Sequence, residues 1–105
     1  MNVGQQDVSP SLTATGTTSA TALLLFNGLN VLGTVASGTG VLLNFTNPGT
    51  TQIVYNGGAN AVKVYPPSGA KVNNLPTDAA HTLAPATSCV YWYATSTQVI
   101  GNLSA

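Results

Sequence analysis

Charge is what this sequence has least of. Its 105 residues include two lysines (Lys63, Lys71), two aspartates (Asp7, Asp78), one histidine (His81), no arginine and no glutamate. Charged residues make up 4% of the chain, against roughly 25% in an ordinary soluble domain. Nucleic-acid and membrane-surface binding both draw on clustered Lys and Arg, which two lysines cannot supply, so neither partner is expected. Zero net charge also removes the repulsion that keeps free proteins apart, which favours a life inside an assembly. The single cysteine, Cys89, permits no internal disulfide. Stabilisation beyond a small core then has to come from oligomerisation. Long hydrophobic runs are missing too: residues 22–26 (ALLLF) fall far short of the roughly 20 residues that span a bilayer. The first residues, MNVGQQD, carry no basic segment followed by an apolar one, so no classical signal peptide is expected.

Catalytic groups are equally scarce. General acid–base work pairs a titratable side chain with a second that tunes it. Asp78 and His81, with Ser88 nearby in sequence, are the one conceivable relay, and no nucleophile-elbow sequence accompanies them. The expected reading is an Asx-turn Asp beside a surface His, and no enzyme. His81, Cys89 and Asp78 are also the only clustered metal-ligand types, too few for a designed site, so neither metal nor cofactor is expected. Residues 33–40 (GTVASGTG) lack the Gly-Lys-Ser/Thr ending of a phosphate loop and read as a hairpin turn. The triplets 44–46 and 102–104 match a glycosylation acceptor by chance in an Asn- and Thr-rich chain.

What the sequence does have is short apolar runs between turns. Hydrophobic residues make up 44%, which excludes a disordered chain. Residues 8–21 are short, hydroxylated and β-branched, without bulk for a core, and read as part of an extended N-terminal arm over 1–20. A single β domain over 21–105 follows. Its runs, separated by Gly, Asn and Pro, have the spacing of an all-β fold, a small antiparallel β-sandwich or barrel of jelly-roll type. Asn27-Gly28 predicts a tight hairpin between residues 23–26 and 29–36. Residues 46–51 place Pro48 and Gly49 where a type II turn wants them. Val62 and Val64 share one strand face, Lys63 and Tyr65 the other.

The strongest run is 88–95 (SCVYWYAT). Cys89, Tyr91 and Tyr93 face one way, and Val90, Trp92 and Ala94 the other, so the strand is apolar on both sides. Tyr91, Trp92, Tyr93, Tyr55 and Tyr65 are the candidate core or interface residues, with Trp92 expected in the core between sheets. A sugar-stacking platform at 91–93 is the alternative use of these aromatics.

Residues 33–43 (GTVASGTGVLL) followed by 55–69 (YNGGANAVKVYPPSG) resemble small virion-associated proteins of tailed phages and prophages. The likeness continues through 72–75 (VNNL), 80–84 (AHTLA) and 91–94 (YWYA), and so spans about residues 12 to 95. The resemblance implies a structural virion protein, a cement protein that decorates the outside of the capsid as a homotrimer on the major capsid protein. Such a protein is made in the host bacterial cytoplasm and ends on the outer capsid surface of the virion. Val8 and Leu12 would belong to an arm that clamps a neighbour or the capsid. The alternative is a phage fibre or spike module that binds a host-surface glycan.

Overall fold

The structure, a computed structural model, describes residues 8–45 and 47–103. Turn-forming residues every few positions leave room for ten short strands and, among the described residues, no helix. The strands are β1 (Val8–Thr13), β2 (Leu23–Leu24), β3 (Leu29–Thr34), β4 (Gly40–Leu42), β5 (Thr51–Asn56), β6 (Val62–Tyr65), β7 (Lys71–Val72), β8 (His81–Leu83), β9 (Thr87–Thr95) and β10 (Gln98–Leu103). They form a six-stranded sheet, ordered β1-β3-β5-β9-β10-β7, and a four-stranded sheet, ordered β2-β4-β6-β8.

The all-β content is as expected, but the antiparallel sandwich or barrel is not what forms. The chain winds like a solenoid, placing one strand in each sheet per turn: β1 then β2, β3 then β4, β5 then β6. Each strand therefore pairs in parallel with one laid down a full turn later, as in Leu29 against Ile53 and Val41 against Val64. The winding then reverses, and β8 and β9 return antiparallel on β6 and β5. β10 folds back on β9, and β7 closes the far edge parallel to β10.

The corners explain why neighbouring runs do not become hairpins. Asn27-Gly28 was expected to join two partner strands, yet β2 lies in one sheet and β3 in the other. The Asn27 carbonyl accepts from Asn30 Nδ2 (2.8 Å) and Gln52 Nε2 (3.1 Å), which holds the chain in a wide corner. Gln52 Oε1 also accepts from the Asn44 backbone N–H (2.7 Å). At the next corner, 36–39, Gly38 takes φ +83° and Thr39 N–H donates to the Ala36 carbonyl (3.1 Å). The turn at 47–50 has the expected form, with Gly49 at φ +94° and Thr50 N–H donating to the Asn47 carbonyl (3.3 Å).

One core fills the space between the sheets. Leu32, Val54, Cys89, Tyr91 and Val99 enter from the six-stranded sheet, and Val41, Val62, Val64 and Leu83 from the other; each is at most 1% exposed. Burying an aliphatic side chain of this size contributes about 1.5–3 kcal/mol. Two polar ties cross the core to β8: Asn56 Nδ2 donates to the Leu83 carbonyl (2.9 Å), and Tyr91 Oη lies 2.8 Å from His81 Nδ1.

The stretch expected as a free arm is, from Val8 onward, woven into the chain's own sheets. β1 pairs in parallel with β3, because a Ser- and Thr-rich segment needs only a partner backbone to hold it extended. Ala14 is buried, Leu12 packs against the core, and the Thr17 carbonyl accepts from Tyr65 Oη (3.1 Å). Leu12 is thus not a free clamping residue. Val8 starts the edge strand, and residues 1–7 of the expected arm lie outside the described residues.

Candidate functional site

Strand alternation sends every second side chain of the six-stranded sheet outward. In β9, Cys89, Tyr91 and Tyr93 share one face, as expected from sequence, and that face is the inward one. Trp92 is the correction: it stands on the outer face, 39% exposed, not in the core between the sheets. Alternation alone cannot say which side of a two-sided apolar strand is in. Here Tyr91 reaches across to β8 and Tyr93 stacks on Phe45 with ring centres 5.1 Å apart, which fixes the choice. Tyr65 is buried, and Tyr55 lies outside, 38% exposed.

The outer face is built in three rows across the paired strands. Leu29, Ile53, Val90 and Asn102 form the middle row. Val31, Tyr55 and Ser88 form the row on one side, and Thr51, Trp92 and Ile100 the row on the other. Ile100 is 46% exposed. No charged residue stands in these rows; Lys71 is at the rim, on the edge strand β7.

Two of the strands are inverted relative to a simple apolar-in pattern. In β3, Asn30 is buried while Leu29 and Val31 are only half-buried outside; in β5, Gln52 and Asn56 are buried while Ile53 and Tyr55 face out. The buried amides are the corner struts. Besides its bond to Leu83, Asn56 donates to the Asn60 carbonyl (2.8 Å), and its Oδ1 accepts from Gly58 N–H (2.9 Å). Sequence reasoning missed Leu29, Val31, Ile53 and Ile100 as surface groups. The available signal was apolar residues at both parities of 29–32 and 52–55.

The conceivable relay does not assemble. Asp78, at φ +66°, accepts from Gly69 N–H through Oδ1 (2.7 Å), so it clamps the 69–78 loop rather than forming an Asx turn. His81 meets Tyr91, and burial lowers its pKa below the ordinary value. Burial raises the Tyr91 hydroxyl far above its usual range, with Cys89 adding to the shift. Burial likewise pushes the Cys89 thiol up, offset in part by hydrogen bonds from Tyr91 and the Asn102 backbone. Ser88 belongs to the outer face, away from this buried group. Among the described residues, no three His, Cys, Asp or Glu side chains cluster to hold a metal, and no helix is long and apolar enough to cross a membrane.

Two clefts stand out among the described residues. One, of about 300 Å³, lies between Ser19, Leu42, Pro66, Ser68 and Asp78. The other, of about 160 Å³, lies beside Phe26, whose ring is 76% exposed, with Asn44, Phe45, Thr51 and Gln52 in its wall. The alternative sugar platform at 91–93 is divided by the pleat, since Trp92 faces away from Tyr91 and Tyr93. No protein-family model, curated protein or solved structure matches this chain.

Proposed function

We propose that this chain is a structural virion protein that decorates and stabilises the outside of a tailed-phage capsid. In this reading it is a cement protein, a homotrimer seated on the major capsid protein, made in the host bacterial cytoplasm and carried on the outer capsid surface. It performs no catalysis and takes no cofactor. The observation that carries the reading is the inversion in β3 and β5. A chain with amides inside and Leu29, Val31, Ile53, Tyr55 and Trp92 outside has its apolar surplus where a partner can cover it. The near absence of charge points the same way, because attachment then rests on apolar and backbone contacts. The sequence resemblance supplies the particle and the threefold symmetry.

The test is a cryo-EM map of particles that carry this chain. A cement protein gives density for it at every equivalent lattice position on the capsid exterior. Density confined to a vertex or to the tail would contradict this and favour the fibre or spike reading. The Phe26 cleft favours that second reading, because an exposed ring beside uncharged amides and hydroxyls suits the apolar face and hydroxyl rim of a sugar. Titration with host-surface glycans tests it: binding lost in Phe26→Ala supports a glycan module, and no binding by the wild type rejects it.

A further inference from the structure

We infer that the outer face of the six-stranded sheet pairs with the same face of a second copy of this chain. The pairing is twofold, and so it is additional to the threefold contact of the proposed trimer. Two observations lead to it, and a third bounds its strength. The three rows of the face carry no charge and Lys71 stands only at the rim, so a charged partner would lose hydration there and find little to pair with. A second copy brings an equally uncharged, aromatic-bearing sheet.

The second observation is shape. Tall and short side chains share the face in a pattern that matches itself when reversed. A twofold axis lying along the middle row, Leu29, Ile53, Val90 and Asn102, exchanges the two outer rows and keeps each strand opposite its own copy. On β5 this sets Tyr55 over Thr51 of the second copy; on β9 it sets Trp92 over Ser88. Each tall ring meets a short side chain, and each contact occurs twice, as an isologous interface requires. Stacked sheets interdigitate in this way at a separation of about 10 Å.

The third is size. Four strands about 4.8 Å apart and five residues rising about 3.4 Å each give a flat footprint of about 300 Å². Protruding rings raise the area each copy can bury above that footprint. A standard interface takes about 800 Å² from each partner, roughly a seventh of the chain's 5499 Å² surface. The pairing therefore belongs at the small end, below about 1,200 Å² in total, where contacts are weak and depend on concentration.

The experiment is multi-angle light scattering on the isolated full chain over a dilution series, with Trp92→Lys and Thr51→Trp as variants. The wild type is expected at an even multiple of its 10.6 kDa mass, as a pair or, with the trimer intact, as six copies. Dilution should halve that mass, and the emission of Trp92, the only tryptophan, should shift to the red in step. Trp92→Lys introduces a charge and Thr51→Trp sets tall against tall. Both should keep the wild-type circular dichroism and lose the even multiple at concentrations where the wild type holds it. A wild type that stays monomeric or strictly trimeric at high concentration would overturn the pairing, as would folded variants that associate like the wild type. Because no particle is involved, failure here leaves the capsid reading standing, and failure of the capsid map leaves the pairing standing.

Discussion

The two faces of β9 carry the same kinds of side chain and lead different lives. Inward, Tyr91 is fully buried, hydrogen-bonded to His81 and flanked by Cys89 and the Tyr93–Phe45 stack. Outward, Trp92 has a larger ring but is left 39% exposed, between Thr51 and Ile100. Aromatic bulk alone therefore does not decide what is core. The difference lies in the partner across the gap: a second sheet on one side, and on the other a surface that the isolated chain leaves open.

The comparison is broken most severely at Tyr91. Tyr91→Ala should destabilise the fold by about 3–5 kcal/mol in urea titration, the usual range for emptying a buried aromatic site. Trp92→Ala in the dilute monomer should change stability by less than about 1 kcal/mol. Equal losses would mean that the two faces are not distinct. Next comes Asn56→Ala, which strands the Leu83 and Asn60 carbonyls and the Gly58 N–H. A loss of about 2–3 kcal/mol is expected from the same titration, since a buried group left unsatisfied costs about 1–3 kcal/mol.

Smaller effects sharpen the inward side. Tyr91→Phe keeps the ring and removes the hydroxyl from His81, for an expected loss of about 1 kcal/mol. In pH terms, burial lowers the His81 pKa in the fold. The stability it protects is whole above the ordinary histidine value, about 6.5, and falls as the pH drops below it, because the unfolded chain takes up the proton first. Burial raises Cys89 and Tyr91, so the alkaline limb has the opposite sign. Stability declines once the pH passes the ordinary thiol and phenol values, about 8.5 and 10, where the unfolded chain ionises. Thermal melts across pH 4 to 11 should trace a plateau between these limbs, and a His81→Gln variant should flatten the acid one. The smallest expected effect is that of salt. Near-molar sodium chloride should leave association and particle attachment intact, because a chain with two lysines and two aspartates offers little for ions to screen. Release at moderate salt would assign Lys63, Lys71, Asp7 and Asp78 a role they do not have in this account.

Strand positions were legible in the sequence because turn chemistry is local. Pro48-Gly49 and the 62–65 alternation follow from residues close together in the chain. Strand partners were not legible. Asn27-Gly28 reads as a hairpin until Asn30 and Gln52, the latter twenty-five residues on, capture the Asn27 carbonyl and turn it into a corner. The same long-range amides hid the outer face. A pattern such as Leu29-Asn30-Val31-Leu32 gives no reason to bury Asn30 until the corner it braces is known. Leu12 shows the limit from the other end, since a hydroxyl-rich stretch without bulk reads as an arm although it can serve as an edge strand.

Acrylamide quenching of Trp92 fluorescence tests the covered outer face most directly, because the chain's only tryptophan stands on it. The account requires strong quenching in the dilute monomer and marked protection in the concentrated chain and on the particle. Equal, strong quenching in all three states would mean that nothing covers the face, and would contradict the account.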